Sequence, residues 1–243
     1  MKQSQAKKRD NAMTNKILMG LIALVLGLLF LEILIVHSKN EQQKNASNQV
    51  QTARIMANGD LLYHDALYMS ALQADGSYDF TENFTYVKPW LKQADLVLGD
   101  FEGTVNPDYP LSGYPLFNAP QSVTAAIKDA GYDVMDLAHN HILDSGLEGA
   151  FTTADAFKKV GIDPIGVYEK PVRDKAPLLI KNVNGIKVAI LSYAYGYNGL
   201  ESNLTDKEVA DHLSNLDEKR MKSEIQRAEK EADITVIMPQ MGV

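Results

Sequence analysis

Two kinds of hydrophobic pattern share this chain. From Ile17 to Val36 the run ILMGLIALVLGLLFLEILIV is apolar without period, interrupted only by Glu32. At about 1.5 Å per residue a helix of this length crosses the roughly 30 Å hydrocarbon layer of a bilayer, so the run predicts a transmembrane anchor over 17–36. It is longer than the apolar stretch of a cleaved signal peptide, and Ile35-Val36-His37 lacks the small residues of a cleavage site. Lys2, Lys7, Lys8, Arg9 and Lys16 precede it. By the positive-inside rule they hold residues 1–16 in the cytoplasm and send the remainder of the chain outside the cell. The polar, aperiodic stretch 37–51 reads as a linker.

From residue 52 onward the pattern is periodic, alternating short apolar runs with helical stripes. ARIMANGD (53–60), DLVLGDFEG (95–103), YDVMDLAHN (132–140) and DITVIMPQMGV (233–243) read as strands. FTYVKPWLKQA (84–94), SVTAAIKDAG (122–131), LEGAFTTADAFKKVG (147–161) and DEKRMKSEIQRAEKEA (217–232) read as helices. The third carries Leu147, Ala150, Phe151, Ala154, Phe157 and Val160 on one stripe. The second has a serine at its start and a glycine at its end, which are start and stop signals. Asn184-Gly185 between two β-rich runs predicts a two-residue hairpin. Strands alternating with helices imply an α/β domain over 52–243 built on a largely parallel sheet. The pattern stops on an apolar strand at Val243, so the sequence reads as ending within the fold.

Charge narrows the range of partners. The whole chain of 243 residues carries a formal net charge of −7, and five of its basic residues lie in the N-terminal tail, so the outer domain is more acidic still. That excludes a nucleic-acid-binding face. There is no cysteine, which for an exported domain fits a bacterial surface protein stabilised by its core rather than by disulfides.

Polar clusters fall at three strand ends: Asn58-Gly59-Asp60, Gly99-Asp100-Phe101-Glu102-Gly103, and Asp136 with His139, Asn140, His141 and Asp144. In a parallel sheet the carboxyl ends of the strands share one edge, where ligands bind. Carboxylates, an amide oxygen and imidazole together suit a divalent transition metal such as Mn, Fe or Zn. Period-2 geometry turns Asp100 and Glu102 to one face, and does the same for His139 and His141 if the strand continues. Each cluster also has an ordinary structural use: Asp and Asn form turns and cap helices, and Asp144 stands where it would cap the helix starting at Leu147. His64 reads as a surface or packed histidine. Tyr193, Tyr195 and Tyr197 in SYAYGY read as strand packing before they read as a sugar- or peptide-binding wall.

MANGDLLYHD, ADLVLGDFEG, DLAHNHILDSGLEG, GIDPIGVY and NGIKVAILSYAYGY together resemble the CapA family of bacterial capsule, or poly-γ-glutamate, synthesis proteins, from about Ala53 to Val243. The most specific part is Asn140-His141-x-x-Asp144-x-Gly146. The resemblance implies a metallophosphatase-like sandwich of two mixed β-sheets flanked by helices, preceded by a membrane anchor. It also implies a site with two divalent metal ions: Asp60, Asp100, Glu102, Asn140 and His141 as ligands, with Asn140 and His141 assisting catalysis of phosphoester cleavage. The implied partners are the membrane, a membrane polymer synthase and an anionic exopolymer. Three departures are visible. His139 occupies a place where the family often has a smaller or amide side chain. MPQMG (238–242) stands where the family shows His-Trp-Gly, and the family's later Gly-His-x-His motif would fall beyond Val243. The resemblance leaves three functions open: a surface-anchored component of capsule or poly-γ-glutamate synthesis or attachment, a metal-dependent phosphoesterase acting on envelope material, and a non-catalytic scaffold.

Overall fold

Asn184 and Gly185 both take left-handed backbone, with φ of 53° and 89°, the pair that a tight hairpin turn requires. In the computed structural model they join strand β5 (Leu179–Val183) to β6 (Ile186–Ala194), which pair antiparallel as the sequence predicts. The structure describes residues 50–172 and 175–242, a helical stretch at 27–39, and the single positions 19 and 24. The basic tail, much of the expected spanning run and most of the linker, residues 40–49, lie outside the described residues. Among the described residues no helix is long and apolar enough to cross a membrane.

Four strands form the first sheet in the order β1 (Ile55–Leu62), β2 (Leu96–Glu102), β3 (Val134–Asp136) and β4 (Asp163–Ile165). All three pairings are parallel, because each connection is long enough to carry helix back across the sheet. Helices α1 (Asp65–Ser70) and α2 (Lys88–Leu91) lie between β1 and β2, α3 (Ser122–Ala130) between β2 and β3, and α4 (Gly146–Lys159) between β3 and β4. The second sheet has the order β5, β6, β7, with β7 at Ile234–Gln240. Helices α5 (Asp206–His212) and α6 (Glu218–Glu231) make the crossover from β6 to the parallel β7. The expectation of two mixed sheets therefore needs correction: only the second is mixed, because its hairpin alone reverses a strand.

Alternate residues of the strands divide the core into layers. Leu96, Leu98 and Val134 of the first sheet cluster with Val183, Val188 and Ile190 of the second. Strand residues of the opposite parity, Val97, Phe101 and Met135, join Val123, Ile127, Ala154 and Phe157 of α3 and α4. On the far side Ala189, Leu191 and Tyr193 pack with Met221, Ile225 and Ala228 of α6. The order is helix, sheet, sheet, helix. Burying one large apolar side chain stabilises by about 1.5–3 kcal/mol, and Leu98, Phe101, Ile127 and Phe157 are all fully buried.

Local chemistry explains where helix boundaries depart from expectation. Pro89 sits in the first turn of α2, where its missing N–H costs nothing. The expected 84–94 helix is therefore reduced to a 3₁₀ turn at Thr81–Phe84 and the short α2. Ser122 does not cap α3: Gln121 holds that position, and Ser122 Oγ donates to Tyr78 O at 2.9 Å. Gly131 closes α3 with φ of 118°. Asp217 caps α6, accepting from Arg220 N at 2.7 Å.

Candidate metal centre

Strand register assembles the acidic row. Asp60 stands opposite Asp100, and Asp100 opposite Asp136, so three neighbouring parallel strands each present a carboxylate at the same level. The register slips between Ala57 and Asp60, which brings Asp60 rather than its neighbours into line. Asp100 and Glu102 alternate with Phe101 and share the inner face with Leu96 and Leu98, so they emerge where the gap between the two sheets opens. Asp60 lies within hydrogen-bonding reach of both. On the second sheet Ser192 Oγ donates to Asp136 Oδ1 from across that gap, and Ala138 N donates to the same oxygen at 2.8 Å.

The third strand ends at Asp136, so the chain over 139–146 is a turn and strand alternation no longer applies. The condition for His139 and His141 to share a face, a continuing strand, is therefore not met, and His139 is fully buried whereas His141 is partly exposed. His139 accepts from His141 N through Nδ1 at 3.1 Å. That assigns its proton to Nε2, which has no partner. His141 donates from Nδ1 to Asp144 Oδ2 at 2.8 Å, leaving Nε2 turned to Glu102 Oε1 at 3.8 Å. A carboxylate behind the imidazole in this way fixes its tautomer and orientation. Asp144 does not cap α4, whose N-cap is Ser145 with no side-chain cap bond. It accepts instead from Phe117 N at 2.6 Å, and Phe117 meets the His141 ring edge-on with centroids 4.8 Å apart.

Three residues that the sequence does not single out complete the surroundings. Asn118 holds the loop after β2, accepting from Asn106 N at 2.8 Å and donating to Asn106 O at 2.9 Å. Asn198, with φ of 55°, accepts from Asn140 Nδ2 at 3.2 Å and brings its own Nδ2 to 3.3 Å from His141 Nε2. Gln240, at the end of β7, donates to Asn140 Oδ1 at 3.2 Å. Gln240 belongs to the MPQMG segment, but only its distance in space from Asn140 reveals the contact. His64 stands apart from the row, paired with the adjacent Asp65 and edge-on to Phe117. Tyr193 and Tyr197 are buried, with hydroxyls on Glu224 and Asn215, and Tyr195 alone is half-exposed. The three form no common wall.

Burial and mutual repulsion govern protonation here. Burial first, then Asp136, Asp60 and Glu102, push Asp100 up to about 9. Burial and Asp60 push Glu102 up to about 7, with His141 opposing. Burial pushes Asp136 up to about 7, against its hydrogen bonds from Ser192 and Ala138. For His141 burial pulls down, but Asp144 and Glu102 prevail and hold it above its ordinary value. His139 is pushed down to about 3 by burial and by His141.

A divalent cation suits this donor set in kind. Carboxylates crowd together whose strongest charged neighbours are other carboxylates, and Asp100 Oδ1 is buried without a hydrogen-bond partner. A cation between them would replace the protons they otherwise retain. Among the described residues, however, no three His, Asp or Glu side chains are set to hold a metal ion as they stand. His141 Nε2 stays 3.8 Å from Glu102 Oε1, and Asn140 Oδ1 is engaged by Gln240.

Comparison with known proteins bears on the same residues. Capsule biosynthesis protein CapA of Bacillus anthracis is 35% identical over 115 residues, covering 45% of this chain and 28% of that protein. PGA biosynthesis protein CapA of Bacillus subtilis (strain 168) is 24% identical over 238 residues, 97% of this chain and 60% of that protein. The chain thus spans less than two thirds of the length of these relatives. A solved calcineurin-like phosphoesterase from Bacillus subtilis overlaps 79% of this chain and 62% of its own at 16% identity and a TM-score of 0.46, a likeness too loose to bear on chemistry. The family model described as bacterial capsule synthesis protein PGA_cap matches residues 54–243, a span that takes in every strand from β1 to β7 and every residue of the acidic row. The chain belongs to the bacterial capsule synthesis protein family.

Proposed function

We propose that this chain is a membrane-anchored, cell-surface component of capsule or poly-γ-glutamate synthesis or attachment, and that its domain is a metal-dependent phosphoesterase. The names of the relatives support the capsule or poly-γ-glutamate role, and the apolar run 17–36 with its basic flank supports the anchoring. The single observation that supports the phosphoesterase is the in-register row Asp60, Asp100 and Asp136, with Glu102 and His141 beside it. Asp60, Asp100, Glu102, Asn140 and His141 are the proposed ligands for Mn, Fe or Zn. A divalent pair in such a site activates water and neutralises phosphoryl charge. The protein's part is to hold His141 rigid through Asp144, with its Nε2 turned toward the acidic row, and to present Asn140 beside it.

The test is metal analysis and phosphodiesterase assay of the full chain reconstituted with Mn, beside His141→Ala. Bound metal and an activity lost in the variant are expected; no bound metal, or equal behaviour of both proteins, refutes the site. External protease should remove the domain from intact cells, and full protection would contradict the orientation. A second reading, a non-catalytic scaffold for a membrane polymer synthase, is favoured by the Gln240 contact, which engages an amide oxygen that a metal would need.

A further inference from the structure

Beyond the end of β6 a groove of about 890 Å³ opens between the 199–204 turn, α5 and the start of α6. Leu204, Val209 and Leu213 supply apolar lining. The charges divide by element. Glu201 and Asp206 belong to the turn and the first residue of α5, whereas the basic pair Lys219 and Arg220 belongs to the first turn of α6, whose cap Asp217 also lines the groove but is committed to Arg220 N.

Two atoms at this groove are left over. Glu201 Oε2 and Arg220 Nη2 are both shielded from solvent and lack hydrogen-bond partners. The rest of the Arg220 guanidinium is engaged: Nε donates to Glu224 at 2.9 Å and Nη1 to Leu213 O at 2.8 Å. Buried polar atoms left without a partner in this way are costly, and folds that retain them commonly do so for a ligand. The two lie close enough for both to act on one phenol. Burial pushes Tyr197 upward, with Arg220 opposing and Glu201 reinforcing the shift. The Tyr197 hydroxyl donates to Asn215 Oδ1 at 2.7 Å, and Asn215 also lines the groove.

An unmet acceptor and an unmet donor of opposite charge call for a ligand carrying both signs. A simple anion would meet Glu201 and Asp206, and a simple cation would meet Lys219 and Arg220; each is repelled by one side. We propose that this groove binds a zwitterion of the amino-acid type, its carboxylate on Arg220 and Lys219 and its ammonium on Glu201 and Asp206. The source is a free amino acid or the joined ends of a short peptide. Asn198, which precedes the groove residue Gly199, touches Asn140 and His141, so the occupant sits one loop away from the proposed metal centre. The proposal does not depend on metal being bound there.

Calorimetric titration of the full chain in chelator tests it, with L-glutamate, glycylglycine, acetate and methylammonium as probes. Glutamate and glycylglycine separate the free amino acid from the peptide. Binding of either at least about tenfold tighter than both single-charge probes is expected, a tenfold ratio being about 1.4 kcal/mol. Glu201→Gln and Lys219→Ala should each weaken it by about tenfold, the size of one lost charge-assisted hydrogen bond. Arg220→Lys disturbs the buried Glu224 pair, so Glu201→Gln, checked for folding by circular dichroism, carries the decision. Equal affinity for acetate, unchanged affinity in folded Glu201→Gln, or no zwitterion bound at about 20 mM, far weaker than ordinary small-ligand affinities, overturns the proposal. Metal loading of the same Glu201→Gln sample is expected to equal wild type, which keeps this outcome separate from the fate of the metal centre.

Discussion

Replacing Asp100 by Asn should stabilise the metal-free protein at neutral and alkaline pH. Asp100 is 7% exposed and is pushed up to about 9 by burial and by Asp136, Asp60 and Glu102. In the unfolded chain an aspartate titrates near 3.9. The folded state therefore holds a proton that the unfolded state has released between those values. Stability is whole below about 3.9 and drains away as pH rises through that window toward 9. At pH 7.5 the deficit reaches about 5 kcal/mol at most, from about 3.6 pH units at 1.36 kcal/mol each. Water entry and relaxation around the row reduce it, so a gain of about 2–3 kcal/mol for Asp100→Asn is expected. Urea unfolding of the full chain, followed by far-UV circular dichroism in chelator from pH 4 to 8.5, measures it. The advantage of the variant should shrink steadily toward pH 4. With Mn at 100 times its Kd the advantage should be largely cancelled, since bound metal adds about 2.7 kcal/mol to a protein that binds it. A variant no more stable than wild type at pH 8, or an advantage that does not change with pH, would refute the idea that burial and the neighbouring carboxylates hold Asp100 protonated in the fold.

Gly166 has φ of 92°, and a Cβ there would lie 2.6 Å from both Cβ and N of Ala138; Gly166→Ala should cost about 3 kcal/mol or more in urea unfolding, because strain and clash add. His139, pushed down to about 3, stays neutral in the fold while the unfolded chain takes up a proton near 6.5. Its stability is present above 6.5 and lost as pH falls toward 3, so His139→Gln should flatten the acid limb of the urea midpoint against pH by up to about 4 kcal/mol. Asn198→Gly keeps the left-handed backbone but removes the contacts to Asn140 and His141; Mn affinity by calorimetry should fall about 10- to 100-fold, as for other residues that orient metal ligands. Phe157→Ala empties a fully buried position and should lower stability by about 3–5 kcal/mol.

Strand ends were legible from short-range pattern because apolar runs stop where the chain must meet solvent or ligand. Asp60, Asp100 and Glu102 could be picked out this way, and the Asn184-Gly185 hairpin came from backbone sterics alone. The side on which His139 and His141 would lie could not be read, since it depends on where pairing with β4 stops, and β3 ends three residues before His139. The role of Asp144 was hidden for a related reason: its partner Phe117 is 27 residues away, whereas capping is local and was the nearer reading. Gln240 and Asn140 are 100 residues apart, and no local rule joins them. The slip between Ala57 and Asp60 likewise belongs to pairing and not to either strand's own sequence.

Ser192 with Asp136, and Gln240 with Asn140, tie the second sheet to the first at the same edge where the acidic row lies. Half of the cluster's surroundings therefore ride on a different slab of the sandwich from the carboxylates. Sliding of one sheet over the other by a few tenths of an ångström would change the clearance at Asn140 and His141 while leaving each sheet internally intact. Packing substitutions deep between the slabs, at Leu98 or Ile190, should then be felt as altered alignment at the rim rather than as lost stability alone. The inner core acts as the bearing on which the site is aligned.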